Sequence, residues 1–186
     1  RGRRGLADVV KETDHANLDL VPADFSYRNL DLLLDGTDDA AGRVRSLLAP
    51  LADDYDLVVL DCPPSVSLTT ESVALAADVV LVPVIPTTLA VRSFTQARDF
   101  VANQPEPHAR LWGFFSMVDN RRKLHKELVV DTRAEVPEML PTPIPVAADV
   151  ERMGVTREPL PVSAPRSRST AAYEALWAEV APLVHC

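Results

Sequence analysis

The first place in this chain where chemistry could be done is an acidic residue at the end of an unbroken apolar run. Leu57 to Leu60 reads LVVL and is followed at once by Asp61, Cys62, Pro63, Pro64 and Ser65. Four aliphatic residues in a row suit a strand buried on both faces. Neither proline can donate to a ladder, so the strand has to stop there. Its last residue would stand at the carboxyl end of an open α/β sheet, outside which ligands bind. A carboxylate fixed at that rim can hold Mg²⁺, through a water, beside nucleotide phosphates, because a hard cation prefers oxygen donors. This is the Walker B arrangement. A second reading gives Asp61 a local role, capping a turn or helix after a buried strand, where Asp is common. The string LVVLD by itself does not choose between them.

Other reactive side chains form no such pattern. Ser65 and Ser67 lack a surrounding GxSxG elbow. Cys62 abuts the apolar run and reads as a small packing residue rather than a nucleophile. Cys62 and Cys186, the two cysteines of the chain, make neither a disulfide framework nor a metal set. A reducing cytosol is then the default. His15, His108, His125 and His185 have no metal spacing with the cysteines or with one another, and read as surface residues.

The elements that would position Asp61 alternate between short β-branched runs and longer segments of helical periodicity. That alternation argues for an α/β protein with a largely parallel sheet. Leu18 to Pro22 reads as a short strand, with a helix capped by Asp24 or Ser26 running through Leu34. Thr37 can cap the next helix, where Val44, Leu47, Leu48 and Leu51 form one apolar stripe. After the LVVL strand, a helix is expected over residues 65–76. A second buried strand, Val79 to Val82, is stopped by Pro83. Thr87 and Thr88 either point toward the ligand edge or cap the helix carrying Ala90, Phe94, Ala97 and Val101. Leu111 to Val118 is a third strand, followed by a charged helix over about 121–136. The proline-rich stretch 137–145 has room for a short strand around Thr142 to Ile144. Ala172, Leu176, Val180 and Leu183 mark a closing amphipathic helix.

The 186 residues suffice for one domain with a sizeable core, and no composition shift marks a second. Apolar residues make up 47% and charged residues 25%, as in ordinary globular proteins. No apolar run approaches the roughly 20 residues that span a bilayer, and no apolar stretch follows Arg1 to Arg4 as a secretory signal would require. The net charge of −8 excludes a protein that coats nucleic acid over its whole surface. Any such contact has to come from a local patch. Two are visible: Arg121, Arg122, Lys123 and Lys126 at one helix start, and Arg166 and Arg168 before the last helix. Both also read as solvated charged faces, and Glu127, Glu135 and Glu138 dilute the first.

Several strings, taken in order, resemble the ParA/MinD family of deviant-Walker P-loop ATPases. These are LVVLDCPPS, ADVVLVPVIPT, FFSMVDNRRKLHKELV, PTPIPVAADVERMG and SAPRSRSTAAYEALWAEV. GLADVV and NLDLVPADFSYRNLDLLL resemble the stretch ahead of the Walker B strand. The likeness covers nearly the whole chain, residues 1–186, as a single domain corresponding to the C-terminal three-quarters of the family's. It implies a P-loop NTPase-like α/β fold, a mostly parallel sheet flanked by helices. Asp61 would be the Walker B acid on the Mg²⁺ side and the catalytic centre's one representative here. Cys62 to Ser65 would begin the second switch. Asp119 and Asn120 would lie at the edge of the base pocket, and Pro145 and Val146 against the adenine; a proline after a strand also serves simply as a turn residue. The implied cofactors are ATP and Mg²⁺. The implied partners are a second copy of the chain when ATP is bound, nonspecific DNA touched by Arg166, Arg168, Arg121 and Arg122, and a ParB-like or other adaptor. The location would be cytoplasmic and nucleoid-associated. A membrane role of the MinD type is not expected, since the chain ends AEVAPLVHC without a basic amphipathic tail.

One departure is large. None of the six glycines belongs to a GxxxxGK(S/T) phosphate loop, and Lys11, Lys123 and Lys126 lie near no glycine loop. The family's first strand, its phosphate loop and its water-positioning Asp are expected to precede Arg1. This stretch alone is then expected to bind ATP weakly or not at all, with apolar strand edges facing solvent. A non-catalytic interaction module built on the same fold is the alternative reading. A cobyrinate amidase relative would need a glutaminase domain for which the chain has no room.

Overall fold

The computed structural model describes residues 5–22, 40–62, 68–103 and 109–184. The chain divides into two compact units, Arg1–Ala77 and Asp78–Cys186.

In the first unit, Lys11–Glu12 (β1) pairs antiparallel with Asp19–Leu20 (β2). The strand expected over residues 18–22 is thus confined to two residues of an exposed hairpin. The Thr13 hydroxyl donates to the Leu18 carbonyl at 2.6 Å, and Asn17 takes the left-handed conformation (φ 61°) that Asn tolerates. The expected caps Asp24, Ser26 and Thr37 lie outside the described residues. Helix α1, Ala40–Leu48, runs on into a 3-10 turn at Ala49–Leu51. Leu51 is buried while Leu47 is exposed, so the apolar stripe is narrower than its periodicity suggests. Helix α2, Leu68–Ala76, lies beside α1, and Arg45 donates to the Leu75 carbonyl at 3.2 Å.

The LVVL run departs from expectation. Residues 57–60 form no strand, and Val59 is 80% exposed. A strand is a pairing rather than a property of one segment, because its N–H and C=O groups must find ladder partners. No ladder to residues 57–60 exists among the described residues.

In the second unit, Val79–Val84 (β3) and Arg110–Phe115 (β4) pair in parallel, from Val79 opposite Arg110 to Val84 opposite Phe115. Helix α3, Thr88–Ala102, makes the crossover that a parallel pair requires. Alternation along the strands sorts the side chains. Val80, Val82, Val84, Leu111 and Phe115 face Phe94 and Val101 of α3 and Val129 of helix α4, Lys123–Glu135. Trp112 and Phe114 face Leu176 and Val180 of the last helix. Helix α5 is Ala148–Thr156, α6 is Leu160–Ser163 and α7 is Arg168–Val184.

Pro83 lies inside β3 rather than after it, correcting the expected strand end. Asp78 and Val84 accept from Arg110 and Ser116 at 2.9 Å each, so the even-numbered residues of β3 turn their backbone toward β4. The nitrogen of Pro83 faces away, and no bond in this ladder is lost. Along the other side of β4, the proline-rich stretch runs as an irregular parallel ribbon. Leu140 donates to the Gly113 carbonyl and Ile144 to that of Phe115, both at 2.7 Å, and bridges form at Met139 and Pro145. Among the described residues, no helix is long and apolar enough to cross a membrane.

Gly113 is where ribbon, strand and helix close on one another. A Cβ there would sit 2.5 Å from Met139 Sδ and 2.7 Å from Phe94 Cε2. Gly154, inside α5, has nothing within 4 Å of the same position. Gly113→Ala is therefore expected to destabilise the protein by about 1–3 kcal/mol. Gly154→Ala should stabilise it by about 0.5–1 kcal/mol, since it removes helix-interior glycine entropy without a clash. Paired thermal denaturation curves check both signs.

Candidate functional site

The residues singled out by sequence fall in both units. Asp61 stands in the first, exposed, directly after the extended run 57–60. Cys62 beside it is also exposed rather than packed, and its sulfur contacts the Leu60 carbonyl at 3.8 Å. Partial desolvation of the sulfur, then the neighbouring Asp61 charge, push its thiol pKa up. A thiol held protonated is a poor nucleophile. No group of three or more His, Cys, Asp or Glu side chains that could hold a metal exists among the described residues. A lone, exposed carboxylate still fits a magnesium ion, which keeps most of its waters and takes one or two carboxylates from the protein.

The second unit gathers the rest at the carboxyl ends of β3 and β4. After β3, Pro86 is buried and Thr87 caps α3, its hydroxyl accepting from Ala90 N at 3.2 Å. Of its two expected roles, Thr87 thus fills that of helix cap. After β4, the chain passes Met117, held left-handed (φ 57°), to Val118. Val118 donates to the Ile144 carbonyl at 3.0 Å and accepts from Val146 N at 3.1 Å, forming a bridge with Pro145. The structure therefore does bring Asp119, Asn120, Pro145 and Val146 to one rim. Val146 is 51% exposed there.

Asp119 is already occupied. Arg121 donates to its carboxylate through Nε at 3.0 Å, through Nη2 at 3.1 Å, and through its backbone N at 3.0 Å. These bonds, the side-chain ones first, hold the Asp119 pKa at about 2. The same pair raises the Arg121 pKa further. Arg121 is 89% exposed, yet its charge is matched at source. Arg122, at the N-cap of α4, is exposed as well.

Below this turn lies His125, which corrects the expectation of a surface histidine. It is 4% exposed, and its Nδ1 accepts from Asp119 N at 3.1 Å. Its Nε2 is buried with no hydrogen-bond partner among the described residues. A buried donor left in that state costs about 1–3 kcal/mol. The signal for burial was present in the sequence: His125, Val129 and Thr132 recur at helical spacing and are all buried.

Arg166 and Arg168 are exposed on the turn entering α7. A set of hydroxyls that the sequence reading passed over pins this turn. Ser167 Oγ accepts from Thr170 N at 3.0 Å, capping α7, and Thr170 Oγ1 donates to the Ala164 carbonyl at 2.6 Å. Ser169 Oγ donates to Asp149 Oδ1 at 2.8 Å, tying α7 to α5. Hydrogen bonds from Ser167 and then Ser169 lower the Asp149 pKa.

A parallel pair with a crossover helix and polar residues collected at its carboxyl rim follows the plan of open α/β sheets, which bind ligands outside the carboxyl ends of their strands. A family model described as an AAA domain (AAA_31) matches residues 2–106, and the chain belongs to that family, among the ParA/MinD-type P-loop ATPases. It is 30% identical over 134 residues to the chromosome partitioning protein ParA of Myxococcus xanthus, covering 70% of this chain and 47% of that protein. It is 26% identical over 181 residues to the sporulation initiation inhibitor protein Soj of Bacillus subtilis, covering 95% of this chain and 72% of Soj. An ATP complex of McdA from Cyanothece superposes with a TM-score of 0.78 at 19% identity, covering 93% of this chain and 71% of McdA. The chain thus spans about half the length of the first of these relatives.

The Asp119–Arg121 pair is directly testable. Because the folded pKa of Asp119 lies below the unfolded value, the pair's stabilisation is complete above about pH 4 and is lost as pH falls toward the folded pKa. In Arg121→Ala, a carboxyl-detected NMR titration should find the Asp119 midpoint raised from about 2 toward the ordinary carboxylate range. A midpoint that stays put would mean that Arg121 is not its cause.

Proposed function

We propose that this chain is the magnesium-side portion of a ParA-type partitioning ATPase. The observation that carries the reading is Asp61, at the end of LVVL and inside the stretch matched to the family. In that role its carboxylate holds a water of the Mg²⁺ that accompanies ATP. The metal, when bound, neutralises phosphate charge, which is where most catalysis of phosphoryl transfer comes from. Asp119 and Asn120 border the base, and Pro145 and Val146 offer an apolar surface to the adenine. Such an ATPase requires a phosphate loop, and none of the six glycines of this chain forms a GxxxxGK(S/T) pattern. ATP closes two copies of the protein into a dimer, and slow hydrolysis releases them. The cycle positions DNA or another cargo through a ParB-like or other adaptor.

The surface charge supports a division of labour between the two basic clusters. Arg121 is paired with Asp119, whereas none of the described ion pairs or hydrogen bonds engages the guanidinium of Arg166 or Arg168. Nonspecific DNA contact is then assigned first to Arg166 and Arg168, with Arg122 beside the base rim. Such contacts position the protein on phosphates and read no sequence.

Isothermal titration of residues 1–186 alone should show no Mg·ATP binding at micromolar affinity. In the protein with its phosphate loop, Asp61→Asn should lower Mg²⁺-dependent hydrolysis at least tenfold without unfolding the chain, because the side chain is exposed. Unchanged turnover would remove Asp61 from the metal site. Arg166→Glu with Arg168→Glu should weaken DNA binding and flatten its salt dependence by roughly 0.9 in logarithmic slope per lost phosphate contact. An unaltered salt series would exclude both arginines.

A further inference from the structure

We propose that His125 is a positioning residue for base recognition, acting on the nucleotide through the turn that carries Asp119 and Asn120. The proposal rests on the reading of that turn as the base edge.

Three observations lead to it. His125 lies in the first turn of α4 and is 4% exposed, so its imidazole belongs to the core rather than to solvent. Its one protein hydrogen bond among the described residues goes to the rim, from Asp119 N to Nδ1 at 3.1 Å. Finally, the turn that donates this bond is otherwise held by its own backbone, with Arg122 N donating to the Asp119 carbonyl at 3.0 Å, and by its two neighbours. Val118 is bridged to the 144–146 ribbon, the Asp119 carboxylate is closed by the exposed Arg121, and Met117 sits in a left-handed conformation that a side chain resists. Of these supports, His125 is the one in which a buried side chain grips the backbone of Asp119.

The chemistry of the grip is specific. A nitrogen that accepts a hydrogen bond carries no proton, so the ring is neutral with its hydrogen on Nε2. That hydrogen is buried and unmatched among the described residues. An aliphatic side chain would relieve the buried Nε2–H while stranding the Asp119 N–H. The two roles of the residue therefore pull in opposite directions. As filler, His125 is replaceable by Leu; as the acceptor that sets the turn, it is replaceable by a side chain offering an acceptor at the Nδ1 position. Asn does so, since its amide oxygen sits about where Nδ1 does. Gln places its amide nearer to Nε2. Holding Asp119 and Asn120 in place before a base arrives reduces the ordering that binding must pay for.

The test compares His125→Leu, His125→Asn, His125→Gln and, as a control on the base edge, Asn120→Ala. Imidazole ¹⁵N shifts in the unmutated chain should report an unprotonated Nδ1 and a protonated Nε2 at neutral pH. Amide exchange of Asp119 should accelerate about tenfold in the Leu and Gln variants and stay within threefold in the Asn variant. In the nucleotide-binding protein, the ratio of ATP to GTP affinity should fall about tenfold in the Leu and Gln variants and in Asn120→Ala, and be retained in His125→Asn. Melting temperatures should not follow this order, because Leu repairs the core that Asn disturbs. The proposal is overturned if Nδ1 is protonated, if Asp119 exchange is unchanged in His125→Leu, or if Asn rescues no better than Leu. A ratio that falls in Asn120→Ala but not in His125→Leu sinks the role of His125 and spares the base edge. A ratio unmoved by either variant sinks the base edge and the proposal with it.

Discussion

The parallel ladder between Val79–Val84 and Arg110–Phe115 is the constraint on which the second unit is built. Two parallel strands cannot close on themselves through a tight turn, so α3 has to cross over, and its Phe94 and Val101 become the floor of the core. The pairing also brings both strand ends to one rim. Everything proposed for nucleotide recognition in this unit, from Asp119 to Val146, follows from that shared direction. Gly113 sets how closely the layers approach: with no Cβ, β4 admits Met139 from the ribbon and Phe94 from the helix at the same point.

Much of this was legible because the pattern was redundant. VVLV and LWGFFSMV are apolar runs flanked by helical stripes, and both became strands, the first running on through Pro83 to Val84 and the second ending at Phe115 rather than Val118, with α3, α4 and α7 near their expected places. The family likeness, read from ordered strings, agrees with the family model over residues 2–106, which hold LVVLDCPPS and ADVVLVPVIPT. What failed was whatever depended on a partner. LVVL has the composition of a buried strand, yet burial and strandedness are relations, and the described residues supply no neighbour. Pro83 looked like a terminator because proline breaks a ladder, but only the side of the strand that pairs feels the missing donor.

The rim shows the same division. Its location could be read from where strands end. Its electrostatics could not, because the Asp119–Arg121 chelate is a loop contact two residues apart with no periodicity to announce it. That pair matters to function in opposite ways: it steadies the turn and spends a positive charge that composition alone would credit to DNA binding. His125 was misjudged by residue type, although its helical neighbours Val129 and Thr132 pointed inward with it.

Pro83 also governs what the outer side of β3 can accept. Backbone groups of the odd-numbered residues turn away from β4, and at position 83 that side presents a carbonyl but no N–H. An incoming strand could be received by Val79 and Leu81 but would lose a donor just before the rim. The edge is thereby biased against indefinite self-templating, the hazard of a long, flat, apolar border. A single imino acid leaves this border one donor short of a continuous ladder.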